Sequence, residues 1–67
     1  MKLIFKTEIV ENYLKENRMS KTAFCKLCGI SPSTLTRVMN NKNYRISALF
    51  KIAKVIKIEV PKMFDKE

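Results

Sequence analysis

The only cysteines in this 67-residue sequence, Cys25 and Cys28, are spaced Cys-x-x-Cys and followed at once by Gly29. Two thiolates at that spacing are half of a structural zinc site, or the pair of a thiol oxidoreductase. The rest of the sequence completes neither. Structural zinc takes four Cys or His ligands, and with no histidine in the chain two copies would have to share one metal. A reactive Cys-x-x-Cys sits at a helix N-terminus beside a βαβ framework. Here the pair falls in the last turns of an expected helix, where the dipole opposes a thiolate. Free cysteine otherwise packs as a small apolar residue, so both are read as core, with no metal and no cofactor expected. A non-enzymatic role is expected too: besides the absent histidine there is no phosphate-cradling glycine loop and no nucleophile–base pair.

What would hold such residues in place is a set of short helices. Met1, Leu3 and Phe5 alternate weakly, which allows a short strand or a flexible arm over residues 1–6. Ile9, Val10, Tyr13 and Leu14 share one helical face opposite Glu8, Glu11 and Lys15, predicting a helix from Glu8 to Asn17 capped by Thr7. Ser20 caps a second helix, Lys21–Cys28, whose apolar arc of Ala23, Phe24, Cys25, Leu27 and Cys28 suits coverage by two neighbours. Gly29 ends it in the left-handed conformation. Ser31 caps a third helix, with Pro32 at the first position, where its missing N–H costs nothing, and the helix continues to about Asn40. Its core stripe is Leu35, Val38 and Met39. Asn41 suits a left-handed turn in the polar "NNKNYR" loop. Ser47 begins a fourth helix ending at Ile56, and Pro61 opens a last helical turn bearing Met63 and Phe64. The expectation is a single all-α domain, residues 1–67, of five short helices.

Charge says what such a domain would meet. The formal net charge is +8, and the excess lies in residues 17–58, which hold nine cations and no acid. A solvated surface mixes signs, whereas a field of one sign concentrates a polyanion. Nucleic acid is the expected partner. Lys6, Glu8 and Glu11 interrupt any signal-like apolar run, and no stretch reaches the roughly 18 apolar residues of a membrane span. A cytoplasmic protein with no membrane partner is expected.

Two helices joined by a short turn holding a glycine are the sequence form of helix-turn-helix, and Cys25, four positions before Gly29, stands where the helices touch. "MSKTAFCKLCGISPSTLTRVMNNK" and "ALFKIAKVIKIEVPKMF" resemble the phage-repressor/Cro-like (lambda-repressor-like, XRE-type) helix-turn-helix family from about Glu8 to Phe64. The resemblance implies a five-helix DNA-binding domain, a transcriptional regulator or repressor, that commonly acts as a homodimer on paired half-sites. For the dimer surface, "MKLIF" and Met63/Phe64 are both candidates. Asn41 and Lys57 stand where the family commonly has glycine. Lysine there costs about 1 kcal/mol and predicts a less regular turn after Ile56.

On a helical wheel, Ser33, Thr36, Arg37 and Asn40 lie opposite the core stripe of the third helix, the one that would enter the major groove of double-stranded DNA. Arg37 has the reach for a guanine O6/N7 pair and equally for phosphate. Resemblance places Pro32, Ser33 and Arg37 at or near base-contact positions, and with Thr36 they form the expected base-reading set. Pro32 departs from the family in lacking a polar group, which leaves room for readout of the thymine methyl or of DNA shape. Lys21, Thr34, Asn40 and Lys42 match phosphate-contact positions of the family, with Arg45 in the following loop as an addition. Lys51 and Lys54 are read as solvated surface groups. Two alternatives stand beside the regulator: an antitoxin with a toxin as protein partner, and an interaction module that has lost DNA binding. RNA ranks lower, for want of a GXXG loop or an aromatic run.

Overall fold

The structure is a computed structural model that describes residues 3–66; the part of the expected N-terminal arm at residues 1–2 lies outside the described residues. Strand β1 (Leu3–Phe5) leads into four helices, α1 (Thr7–Glu16), α2 (Lys21–Cys28), α3 (Pro32–Met39) and α4 (Ile46–Ile56). A 3-10 turn (Val60–Met63) then passes directly into strand β2 (Phe64–Lys66). The fold is mostly helical, but the expected fifth helix is that single 3-10 turn, and an all-α description misses a two-stranded antiparallel sheet.

The sheet has a physical cause in one aromatic pair, Phe5 with Phe64. Leu3 faces Lys66, Ile4 faces Asp65 and Phe5 faces Phe64 in register. The Phe5 and Phe64 rings meet edge to face at 5.8 Å, a favoured aromatic geometry. The Lys6 N–H extends the ladder by donating to the Met63 carbonyl at 2.8 Å, and the Lys6 ammonium lies 3.5 Å from the Asp65 carboxylate. Because Lys6 is still extended, α1 starts immediately after it. Thr7 is therefore the first helical residue rather than the expected cap, and no side chain caps this helix.

All four helices stop in the same way. A left-handed residue follows each within two positions of its end: directly at Gly29 (φ 76°) and Lys57 (φ 64°), and one residue later, after Asn17 and Asn40, at Arg18 (φ 48°) and Asn41 (φ 59°). The next N–H then reaches back to a carbonyl inside the helix, from Met19 to Leu14, Ile30 to Cys25, Lys42 to Arg37 and Ile58 to Ala53, at 2.9–3.2 Å. This satisfies carbonyls that a helix end leaves orphaned. Lys57 adopts that conformation fully and its own N–H bonds the Ala53 carbonyl at 2.8 Å, so the turn after Ile56 is regular, contrary to expectation.

The core draws on β1, the four helices and the 3-10 turn, with Phe5, Val10, Phe24, Cys25, Cys28, Leu35, Val38, Ala48, Leu49, Ile52 and Met63 buried and Phe64 of β2 packed against it. Helix α2 packs against both α3 and α4. Its buried face is narrower than the apolar arc implied, because Ala23 and Leu27 remain exposed and only Phe24, Cys25 and Cys28 are covered. Helix α4 begins at Ile46, one residue before Ser47, with Arg45 at its N-cap.

Candidate nucleic-acid interface

The α2–turn–α3 unit is fixed by local hydrogen bonds. The Ser20 hydroxyl accepts from the Ala23 N–H at 3.1 Å, which starts α2 and leaves Lys21 exposed as its first residue. At Gly29 the chain reverses, and Ser31 repeats the capping bond by accepting from the Thr34 N–H at 3.1 Å. Such a cap contributes about 1 kcal/mol. The Ser31 oxygen also lies 2.9 Å from the Thr34 hydroxyl and 3.1 Å from that of Ser33. Thr36 donates its hydroxyl proton to the Pro32 carbonyl at 3.0 Å. The start of α3 is thus built before any ligand arrives.

Leu35 and Val38 turn that helix into the core, while Pro32, Ser33, Thr36, Arg37 and Asn40 are exposed and Thr34 is half-buried. The exposed side is a ridge between two grooves. On the α2 side a groove of about 280 Å³ brings Lys21 together with Pro32, Thr36 and Asn40 over Leu35 and Met39. On the α4 side a cleft of about 360 Å³ gathers Thr34 and Arg37 with Arg45, Ser47 and Lys51. Seven of the nine candidate residues line one groove or the other. Ser33 lies on the ridge between them, and Lys42 is exposed just past the end of α3. The Lys42 N–H donates to the Arg37 carbonyl at 2.9 Å, so the two candidates are joined through the backbone.

Sequence reading did not find Lys51. Its ammonium donates to the Gly29 carbonyl at 3.4 Å and so sits in the cleft beside Arg37 and Arg45. The available signal was Ser47 and Lys51, one helical turn apart on the polar side of α4. Arg45 closes the other end of the cleft as the N-cap residue of α4, which receives no side-chain cap bond. Among the described residues the only ion pair is Lys6–Asp65, in the sheet; none of the cations around α3 has a carboxylate partner there. That leaves their charge available to an external anion.

The two cysteines are buried in the core beneath this surface, at 2% and 7% exposure. Burial pushes the Cys25 thiol above its ordinary value. Cys28 is pushed up to about 11, first by burial and then by the neighbouring Cys25. Thiols held neutral in this way are poor nucleophiles and poor metal ligands, and they favour the packing role. No described helix is long and apolar enough to cross a membrane.

No curated protein sequence matches the chain. A family model does: the Cro/C1-type HTH DNA-binding domain covers residues 10–61, from the second turn of α1 to Pro61. That span contains the helix-turn-helix, both grooves and the helix that follows, and by this match the chain belongs to the Cro/C1-type HTH DNA-binding domain family.

Proposed function

We propose that this protein is a sequence-specific double-stranded DNA-binding transcriptional regulator that inserts α3 into the major groove. The observation that carries the reading is the exposed, pre-capped start of α3 standing between two grooves lined by Lys21, Arg37, Arg45 and Lys51, in a stretch of sequence without one acid. In this reading Pro32, Ser33, Thr36 and Arg37 meet base edges, because recognition helices of this kind contact bases from their N-terminal part. Lys21, Thr34, Asn40, Lys42 and Arg45 meet phosphates, which fix register and orientation without carrying sequence information. Lys51 joins the phosphate set through the α4-side cleft.

The regulator acts as a homodimer in this reading. Leu3, Ile46 and Phe50 are each more than half exposed, and Leu3 and Ile46 border an apolar groove with Val60, Pro61 and Phe64. All six acids lie in residues 1–16 and 59–67, so two copies of a +8 chain repel least where the terminal segments meet.

Selection of bound duplexes from a random-sequence DNA pool at about physiological salt tests both parts, since non-specific binding weakens steeply with ionic strength. Enrichment of a motif with two half-sites is the expected result. Retention without enrichment would leave a generic cationic binder, and no retention would turn the reading towards a protein partner such as a toxin.

A further inference from the structure

The α2-side groove differs in chemistry from the cleft on the other flank of α3. Its floor is apolar, made by buried Leu35 and half-buried Met39, and exposed Pro32 and Thr36 form its wall. Pro32 carries no polar side-chain group. Thr36 has already spent its only hydroxyl proton on the Pro32 carbonyl, at 3.0 Å. What the pair retains for a ligand is a pyrrolidine ring, a methyl group and hydroxyl lone pairs, with no hydrogen to donate. Lys21 and Asn40 stand exposed at the rim, and no acid occurs anywhere in residues 17–58. A polyanion can therefore approach, and the small apolar surface it finds needs an apolar match.

On the base edges of the major groove the apolar group is the C5-methyl of thymine; the other groups presented there are hydrogen-bond donors and acceptors. An exocyclic amine placed here would exchange water for at most the Thr36 lone pairs over an apolar floor, which is unfavourable. We propose that Pro32 and Thr36 form a reader of pyrimidine C5-methyl groups, with Lys21 holding a nearby phosphate. This rests on the DNA-binding reading and deepens it by naming the base feature that the α2 side of the recognition helix selects. Thymine and 5-methylcytosine carry the same methyl group, and the two sources separate by experiment.

The test uses the full chain and a duplex enriched from the random pool. Each thymine in turn is replaced by deoxyuridine, which removes the methyl and leaves the hydrogen-bonding edge unchanged. At one or two positions affinity falls about fourfold, as expected for unburying one methyl group. Thr36→Ser keeps the bond to Pro32 but removes the methyl, and brings the thymine-to-uracil ratio at those positions towards one. Thr36→Val keeps the apolar surface without the hydroxyl, and preserves the ratio. In a parallel arm, each cytosine is replaced by 5-methylcytosine. A gain there with no loss at any deoxyuridine position assigns the reader to 5-methylcytosine instead of thymine.

Sequence-enriched binding that ignores both substitutions overturns the methyl reader and leaves the DNA-binding reading standing. Absence of enrichment overturns the methyl reader together with the sequence-specific reading it rests on. The substitutions in the DNA do not touch the fold, so the result in the unaltered protein stands even if a variant fails to fold.

Discussion

Asn41 and Leu3, 38 residues apart in sequence, are joined by a hydrogen bond from the Asn41 side-chain amide to the Leu3 carbonyl at 3.0 Å. The Tyr44 hydroxyl donates to the other side of the same amide, at 3.4 Å. Asn41 is also the left-handed residue that ends α3. One side chain therefore ties the N-terminal strand to the end of α3, and through β1 it ties β2 as well. Asn41→Gly keeps the backbone conformation and loses the bond, whereas Asn41→Ala loses the bond and strains the turn. Urea unfolding should place Asn41→Gly within about 1 kcal/mol of the parent and Asn41→Ala about 1–2 kcal/mol below it. Equal midpoints for parent and Asn41→Ala would show that the tie contributes nothing.

The shared mode of helix termination gives a second prediction, with opposite signs at different helices. Gly29 at φ 76° has open space where a Cβ would stand, so Gly29→Ala should lose about 1 kcal/mol through backbone strain alone. Lys57 and Arg18 already carry that strain at φ 64° and 48°. Lys57→Gly and Arg18→Gly should each stabilise, by up to about 1 kcal/mol, with the greater unfolded-state freedom of glycine as the opposing effect. Thermal or urea melts that fall for both variants would overturn the account of these turns.

How much of this was readable in the sequence follows from how local each cause is. Ser20, Gly29, Ser31 and Pro32 act within one turn of their own position, and the bounds of α2 and the start of α3 were found for that reason. The β1–β2 sheet was missed because it depends on Phe5 meeting Phe64, and Met63–Phe64 after Pro61 reads equally well as the apolar side of a last helical turn. Thr7 failed as a cap for the same reason, since the ladder reaches Lys6 and leaves no free turn before α1. The polar side of α3 was legible from its wheel, but its division into an apolar-floored groove and a cationic cleft was not. That division depends on which helix packs on each flank, and so did the arrival of Lys51 beside Gly29.

The cysteines supply a prediction in pH. Cys28 is raised from 9.0 to about 11 by burial and by Cys25, so the folded state holds its proton more tightly than the unfolded chain does. The associated stability is fully present below pH 9 and is lost progressively as pH rises from about 9 to about 11. Between those values the unfolding midpoint of the parent should fall more steeply than that of Cys28→Ala, compared as a difference so that lysine and tyrosine titration cancels. Near neutral pH both thiols should react with a thiol reagent only at the rate at which the chain opens. Fast labelling of the native protein would overturn the packing role.

Arg37 and Lys42 are joined by the backbone bond that ends α3, yet their side chains are assigned to different tasks, and salt separates the two. A side chain that neutralises one phosphate contributes about 0.9 to the slope of log affinity against log salt, on any sequence. Lys42→Ala and Arg45→Ala should each lower that slope by about this amount and weaken the selected and a scrambled duplex alike. Arg37→Ala should weaken the selected duplex by about 1–3 kcal/mol and the scrambled one far less, as loss of a bidentate guanine contact does. Its slope should change less than that of Lys42→Ala. If Arg37→Ala instead weakens both duplexes equally, with a slope change near 0.9, its guanidinium meets phosphate from the cleft it shares with Arg45 and Lys51, and direct readout falls to Ser33, Pro32 and Thr36.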